Sequence, residues 1–245
     1  MDVDGYNKSA VFYDYFDTKD NIDFFHSFAM KEKEVLDIGA GTGRIAIPLA
    51  KRSLKVYCVE PSKSMLEVFK RKLEKLHELK SKLKIIEADA TNFRIDKEFN
   101  YAYMSGVFDH FLTKEQRLEA LRNIRNHLAR DGILVFDVFI GLMKSSSLKL
   151  AGEYKEDDIT YQRFVKSKIK DNLVEVTLVY EVKKQGKIVN KIEEKSYVGI
   201  ISKEEVFHLI QESNFVISNV FSDYDFSLYD NKEKENLLIL EVKKE

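Results

Sequence analysis

Val35-Leu36-Asp37-Ile38-Gly39-Ala40-Gly41-Thr42-Gly43-Arg44 decides how the chain folds: an apolar run of strand length enters a loop with three glycines and continues as a helix over residues 45–52. Glycines let backbone approach a ligand closely, and the helix that follows presents unpaired N–H groups and the positive end of its dipole. Reading outward, short apolar runs alternate with longer stretches of helical spacing from residue 34 to 139, a βαβα pattern. Strands are expected at 34–38, 55–60, 84–87, 101–104 and 132–139, each apolar enough to lie in a parallel sheet covered on both faces. Met65, Leu66, Phe69, Leu73 and Leu76 form one helical stripe, and Leu118, Leu121, Ile124 and Leu128 form another. Thr113 and Gln116 read as a capping box that starts the second helix, and Gly132 lies shortly beyond its end.

After residue 150 the period changes from helical to alternating. Val174, Val176, Leu178, Tyr180 and Val182 fall on one strand face, and a Lys-Gln-Gly-Lys turn separates them from Ile188, Asn190 and Ile192. Residues 145–200 are therefore read as an antiparallel β insertion of hairpin material. Ser202 and Glu205 open another helix, and strands follow at 215–221 and 237–242. The expected architecture is one α/β domain over residues 1–245, a Rossmann-like sheet carrying a β-hairpin insertion.

The bulk numbers narrow the function classes. The chain has 245 residues, 44% hydrophobic and 33% charged, with two prolines, so disordered and fibrous classes are disfavoured. The start, MDVDGYNKSA, is too polar for a signal peptide and no apolar run is long enough to span a bilayer, so a cytoplasmic location without membrane partners is expected. A single cysteine, Cys58, has no Cys or His neighbours at ligand spacing, so no metal site is expected. The formal charge of −1 disfavours nucleic acid as a partner, and the Lys-rich stretch at 70–84 interleaves lysine with glutamate as a solvated face does.

Two acids give the glycine loop a chemical context. Glu60 ends the second strand, where a carboxylate can accept from both ribose hydroxyls, and Asp89 follows the third, placed to accept from an adenine amino group. Both stand at carboxyl ends of strands, the edge where open α/β sheets hold their ligands.

With VLDIGAGTGR, the VEPS that contains Glu60, and EADA around Asp89, the sequence resembles the class I S-adenosylmethionine-dependent methyltransferase family over most of its length. That family has glycines at the positions of Gly39, Gly41 and Gly43, whereas a dinucleotide fingerprint would want its third glycine where Arg44 stands. The resemblance implies a seven-stranded sheet with an antiparallel last strand, and S-adenosyl-L-methionine as cofactor. It implies that Gly39 and Gly41 line the methionine part, with Ala40, Gly43 and Arg44 completing the loop and Asp37 supporting it. It also implies Glu60 on the ribose, Pro61 and Met65 around the adenine, Asp89 and the Ala90 backbone on the adenine edge, and Met104 and Ser105 beside the methionine moiety.

Methyl transfer needs an aligned electron pair more than it needs acid–base chemistry, so positioning can carry much of the catalysis. Candidates on the acceptor side are Asp109, to hold an amine, and His110, as a base or else a core histidine. An N-terminal helical lid over residues 1–30 would bring Tyr13 to the sulfonium by a cation–π contact, or else pack as an ordinary amphipathic helix. Tyr224 and Phe226 are candidate acceptor-wall residues, or else loop aromatics that pack a local core. The expected acceptor is a small molecule methylated on N or O, sugar amines included; tRNA or protein acceptors and a non-catalytic adenosylmethionine-binding module are the alternatives.

Overall fold

The computed structural model describes residues 6–16, 19–140, 144–230 and 236–244. A seven-stranded sheet has the order β10-β11-β5-β4-β1-β2-β3. Its strands are β1 (Glu34–Ile38), β2 (Lys55–Glu60), β3 (Leu83–Glu87), β4 (Phe99–Met104), β5 (Leu128–Phe139), β10 (Phe215–Phe221) and β11 (Leu237–Lys244). The first five run parallel, and β11 pairs antiparallel with both β5 and β10. The expected Rossmann-like sheet with an antiparallel last strand is thus present.

Strand alternation divides the core into two layers. Leu36, Ile38 and Val59 pack on one face with Leu118, Leu121 and Ile124 of α5 (Lys114–Asn126) and Val206, Leu209 and Ile210 of α6 (Lys203–Glu212). Val35, Val56 and Cys58 face the other way, onto α2 (Asp20–Ala29), α3 (Ala46–Lys51) and α4 (Lys63–Glu74). Each fully buried Leu, Ile or Phe contributes about 1.5–3 kcal/mol of transfer free energy, so the two layers hold the sheet from both sides. A short helix, α1 (Tyr13–Phe16), precedes them.

The chain reverses direction in the sheet between β1 and β4, so a crevice opens at the carboxyl ends of these strands. The glycine loop, Glu60 and Ser105 all lie at that edge.

The insertion is larger than a hairpin. β6 (Ser146–Glu156), β7 (Ile159–Lys170), β8 (Leu173–Lys184) and β9 (Lys187–Gly199) form a separate four-stranded antiparallel sheet in sequence order. Positive-φ turns at Asp157, Asp171, and Gln185 with Gly186 connect its strands. The β6 and β7 runs carry too little apolar alternation to be read beside β8.

Two local expectations need correction. Leu128 opens β5 rather than closing the stripe of α5. The residue that turns the chain with positive φ is Asp131, not Gly132; Gly132 is needed because a Cβ there would stand 2.9 Å from the Ala129 carbonyl and 3.0 Å from that of Phe99. The Thr113–Gln116 capping box is present, both halves bonded. No helix among the described residues is long and apolar enough to cross a membrane.

Candidate functional site

Gly39, Gly41 and Gly43 have φ of +74°, +55° and +77°, a conformation that costs other residues about 1–2 kcal/mol. The three then differ in what surrounds them. A Cβ on Gly43 would stand 2.3 Å from the Phe69 ring, and one on Gly39 would stand 2.2 Å from Val107. At Gly41 the nearest atom is 3.9 Å away. Gly43 is therefore the packing glycine against α4, and Gly41 is the one that leaves the site side open.

Across the loop, the buried Glu60 carboxylate accepts from the Gly41 N–H at 2.8 Å and from the Ser62 N–H at 2.8 Å. Burial pushes its pKa up, the two N–H groups work against that, and the nearby Asp89 charge adds to it. Behind the loop, Asp37 is buried and pushed up to about 7, chiefly by burial.

A cleft of about 660 Å3 runs along the strand ends. Gly39, Pro61, Asp89, Ala90, Val107 and His110 are among its walls. Asp89 turns its Oδ1 to the Thr91 N–H and hydroxyl, at 2.8 and 2.7 Å, fixing the turn after β3. Met65 is buried under this end of the site, its N–H donated to the Ser62 hydroxyl that caps α4. A second, small space of about 20 Å3 lies under Tyr13 and is bounded by Asp37, Gly39, Ala40, Gly41, Arg44, Ile45 and Ser105. Most of the residues singled out in the sequence thus surround two adjoining spaces. Met104 is buried in the core beneath them.

The acceptor-side candidates separate. His110 faces the cleft, and burial pushes its pKa down. Asp109 is buried behind it: Oδ2 accepts from the Phe139 N–H at 3.3 Å, and burial lifts its pKa to about 7 against the pull of the Arg117 charge. Tyr224 gives its hydroxyl to Asp137 behind the loop after β4, whereas Phe226 packs into an aromatic cluster with Phe24, Phe28 and Phe221 and serves the local core.

A polar network at this end escaped the sequence reading. Asp137, near the end of β5, accepts from the Gly106 N–H at 2.6 Å, the Ser105 hydroxyl at 2.7 Å and the Tyr224 hydroxyl at 2.7 Å. Asn21 of α2 donates to Ser105 Oγ at 3.0 Å and accepts from Arg44 at 2.6 Å. The loop after β1, the loop after β4 and the loop after β10 are thereby tied together. Burial raises the Asp137 pKa while these donors oppose the rise. Asp137 could have been suspected as a lone acid in the apolar run Ile133–Phe139; Asn21 carries no such signal.

This arrangement, a parallel sheet with a glycine loop after β1 and an acid after β2, and with β11 inserted antiparallel, defines the methyltransferase version of the Rossmann-like fold. Residues 35–132 match the family model for a methyltransferase domain, which bears out the resemblance read from the glycine loop. A putative methyltransferase of a Geobacillus strain is 26% identical over 143 residues, covering 54% of this chain and 57% of the relative. The cypemycin N-terminal methyltransferase of a Streptomyces species is 28% identical over 106 residues, 43% of this chain and 41% of the relative. The chain spans about half the length of the curated relatives it matches. Among solved structures, the CcbJ methyltransferase of Streptomyces caelestis superposes with a TM-score of 0.81 at 15% identity, covering 100% of this chain and 99% of that one. The sugar N-methyltransferase KedS8 of a Streptoalloteichus species superposes with a TM-score of 0.74 at 16% identity, covering 96% and 92%.

Proposed function

We propose that this protein is an S-adenosylmethionine-dependent methyltransferase acting on N or O of a small molecule, with an amine of an amino sugar as the favoured acceptor. The observation that carries the reading is the glycine loop and Glu60 meeting at the switch point of the sheet, beside a cleft of about 660 Å3 that continues to Asp89. The residues fit the cofactor: Gly41 leaves its site side open, Glu60 is a buried acceptor at ribose position, and the cleft has the size that small-molecule sites commonly have. Support for the acceptor class comes from KedS8, a sugar N-methyltransferase, and CalS10, an amino pentose methyltransferase, which share this fold across the insertion as well.

In this reading Gly39, Ala40, Gly41 and Arg44 surround the methionyl group, with Asp37, Met104 and Ser105 behind it. Glu60 accepts from the ribose hydroxyls, exchanging the Gly41 N–H for them. Pro61, Met65, Asp89 and Ala90 hold the adenine, and Gly43 keeps the loop on α4. When bound, the cofactor supplies a methyl group on a sulfonium, which leaves with its bonding pair retained by sulfur. The protein aligns the acceptor lone pair behind that carbon and excludes water with Tyr13 and the N-terminal segment. His110, which burial keeps neutral, takes the proton that a neutral amine or hydroxyl loses on methylation.

Isothermal titration with S-adenosylmethionine, S-adenosylhomocysteine and NAD in parallel tests the reading. Binding of the two adenosyl sulfur compounds without NAD is the expected result. NAD binding alone would overturn it.

A further inference from the structure

We propose that Tyr6 is a positioning residue for His110, carried into the site by an N-terminal segment that Glu194 fastens to the insertion sheet. The inference rests on the methyl-transfer reading above and gives the insertion a part in assembling the acceptor side of the cleft. The Tyr6 hydroxyl lies 3.4 Å from His110 Nε2, and the two rings meet edge to face with centroids 6.0 Å apart. Tyr6 also packs edge to face on Tyr13, at 5.8 Å, so the two tyrosines that reach the site move together.

The segment is held differently on its two sides. Toward the insertion, Glu194 of β9 is 8% exposed, and its two oxygens accept the Lys8 N–H at 2.7 Å and the Ser9 N–H at 3.0 Å. Phe12 stacks on Tyr180 at 5.4 Å, and Tyr15 stacks on Tyr161 at 4.5 Å and on Tyr154 at 4.8 Å. Phe16 fills the space that a Cβ on Gly152 would enter, 2.8 Å from where it would sit. Toward the glycine loop the contacts are polar: Asp14 accepts from the Thr42 hydroxyl at 2.6 Å and pairs with Lys72. One buried stack on Tyr180, the half-buried stacks of Tyr15 and two charge-assisted bonds from backbone to Glu194 outweigh one hydroxyl bond and a half-exposed ion pair. When the segment parts from its neighbours, it therefore stays with the insertion and leaves the loop.

Such a parting widens the space beside Tyr13. About 20 Å3 is the narrow end of the site, against about 660 Å3 in the adjoining cleft that shares Gly39, so lifting Tyr13 from Gly39–Gly41 gives the methionyl group more room. Tyr6 lifts with it, and His110 regains this partner on closure. With the Tyr6 hydroxyl as donor, the ring proton is placed on Nδ1 and Nε2 is the basic nitrogen; the Tyr197 backbone on β9 works against the burial that lowers the imidazole pKa. A long hydrogen bond from Tyr6 fixes the ring without competing strongly for that nitrogen, and it yields when the acceptor presents its own proton.

The test is the tautomer of His110 in the full-length protein labelled with 15N-histidine, read from long-range 1H–15N spectra. The chain has five histidines, and His110→Gln assigns the signals by difference. Wild type should show one tautomer with Nε2 unprotonated, and Tyr6→Phe should give a mixture. Glu194→Gln should give the same mixture with the Tyr6 hydroxyl intact; should that variant not fold, Phe12→Leu, which trims the stack on Tyr180, replaces it. With an acceptor in hand, Tyr6→Phe should lower kcat about tenfold and leave the cofactor Kd unchanged. An unaltered His110 spectrum in Tyr6→Phe would overturn the positioning role, and a change there without one in Glu194→Gln would overturn the fastening. Failure of the functional reading would appear elsewhere, as wild type that binds no S-adenosylmethionine while its His110 spectrum stays as described.

Discussion

Two glycines of one loop, both at positive φ, should respond in opposite ways to the same methyl group. Gly43→Ala places a Cβ 2.3 Å from Phe69 Cε2 and 2.5 Å from Cδ2, on a ring buried completely in the layer between α4 and the sheet. Backbone strain of about 1–2 kcal/mol and overpacking of about 1–3 kcal/mol together give a loss of about 2–5 kcal/mol. Gly41→Ala meets nothing closer than 3.9 Å, so only the strain remains, about 1–2 kcal/mol. The two variants should therefore differ by about 1–3 kcal/mol in urea unfolding at an unchanged m-value, with Gly43→Ala the less stable. Titration calorimetry should separate them the other way. Gly41→Ala, and more so Gly41→Val, should lose S-adenosylmethionine binding while folding cooperatively, whereas Gly43→Ala should retain binding wherever it remains folded. Equal destabilisation, or binding that survives Gly41→Val, would refute the division of the loop into a packing glycine and a ligand-facing one.

Other consequences follow from the same geometry. Glu60→Ala removes the acceptor proposed for the ribose and should raise the cofactor Kd by about 10- to 150-fold, the equivalent of about 1.5–3 kcal/mol for a charged hydrogen bond; calorimetry showing an unchanged Kd would take Glu60 out of the site. Asp37 is raised from 3.8 to about 7, so its folded form keeps a proton that the unfolded chain gives up. Its stabilising contribution is then complete below pH 4 and disappears as pH rises through 7. Asp37→Asn should accordingly flatten the fall in stability between pH 4 and 7, measured as a difference from wild type so that groups shifted oppositely, such as Glu175, cancel. Thr113→Ala removes one half of the capping box at α5 and should cost about 1 kcal/mol in urea unfolding without altering cofactor affinity.

What could be read from the sequence was set by how locally each feature is encoded. The strand positions of β1 and β2 followed from runs such as Val35–Ile38 whose alternate side chains both need cover, and the structure divides Leu36 and Val35 between two layers as that requires. A glycine loop and the acids at strand ends have fixed spacings, so Gly41, Glu60 and Asp89 could be marked along one dimension. The Asp137 network could not, because Asn21, Ser105, Asp137 and Tyr224 come from four elements and share no spacing. The same reason hides the use of Glu194. In sequence it is one of many acids on an alternating strand; in space it is a carboxylate with both oxygens committed to the backbone of residues nearly two hundred positions earlier. β6 and β7 were unreadable for a different cause. Most β6 side chains are exposed and most β7 side chains half-buried, and their cover on the inner face is the aromatic segment Phe12–Phe16 rather than another strand of their own sheet. An inner face completed by Phe12–Phe16 is incomplete without that segment, and Tyr15, stacked on Tyr154 and Tyr161, ties the segment that carries Tyr6 and Tyr13 to the sheet.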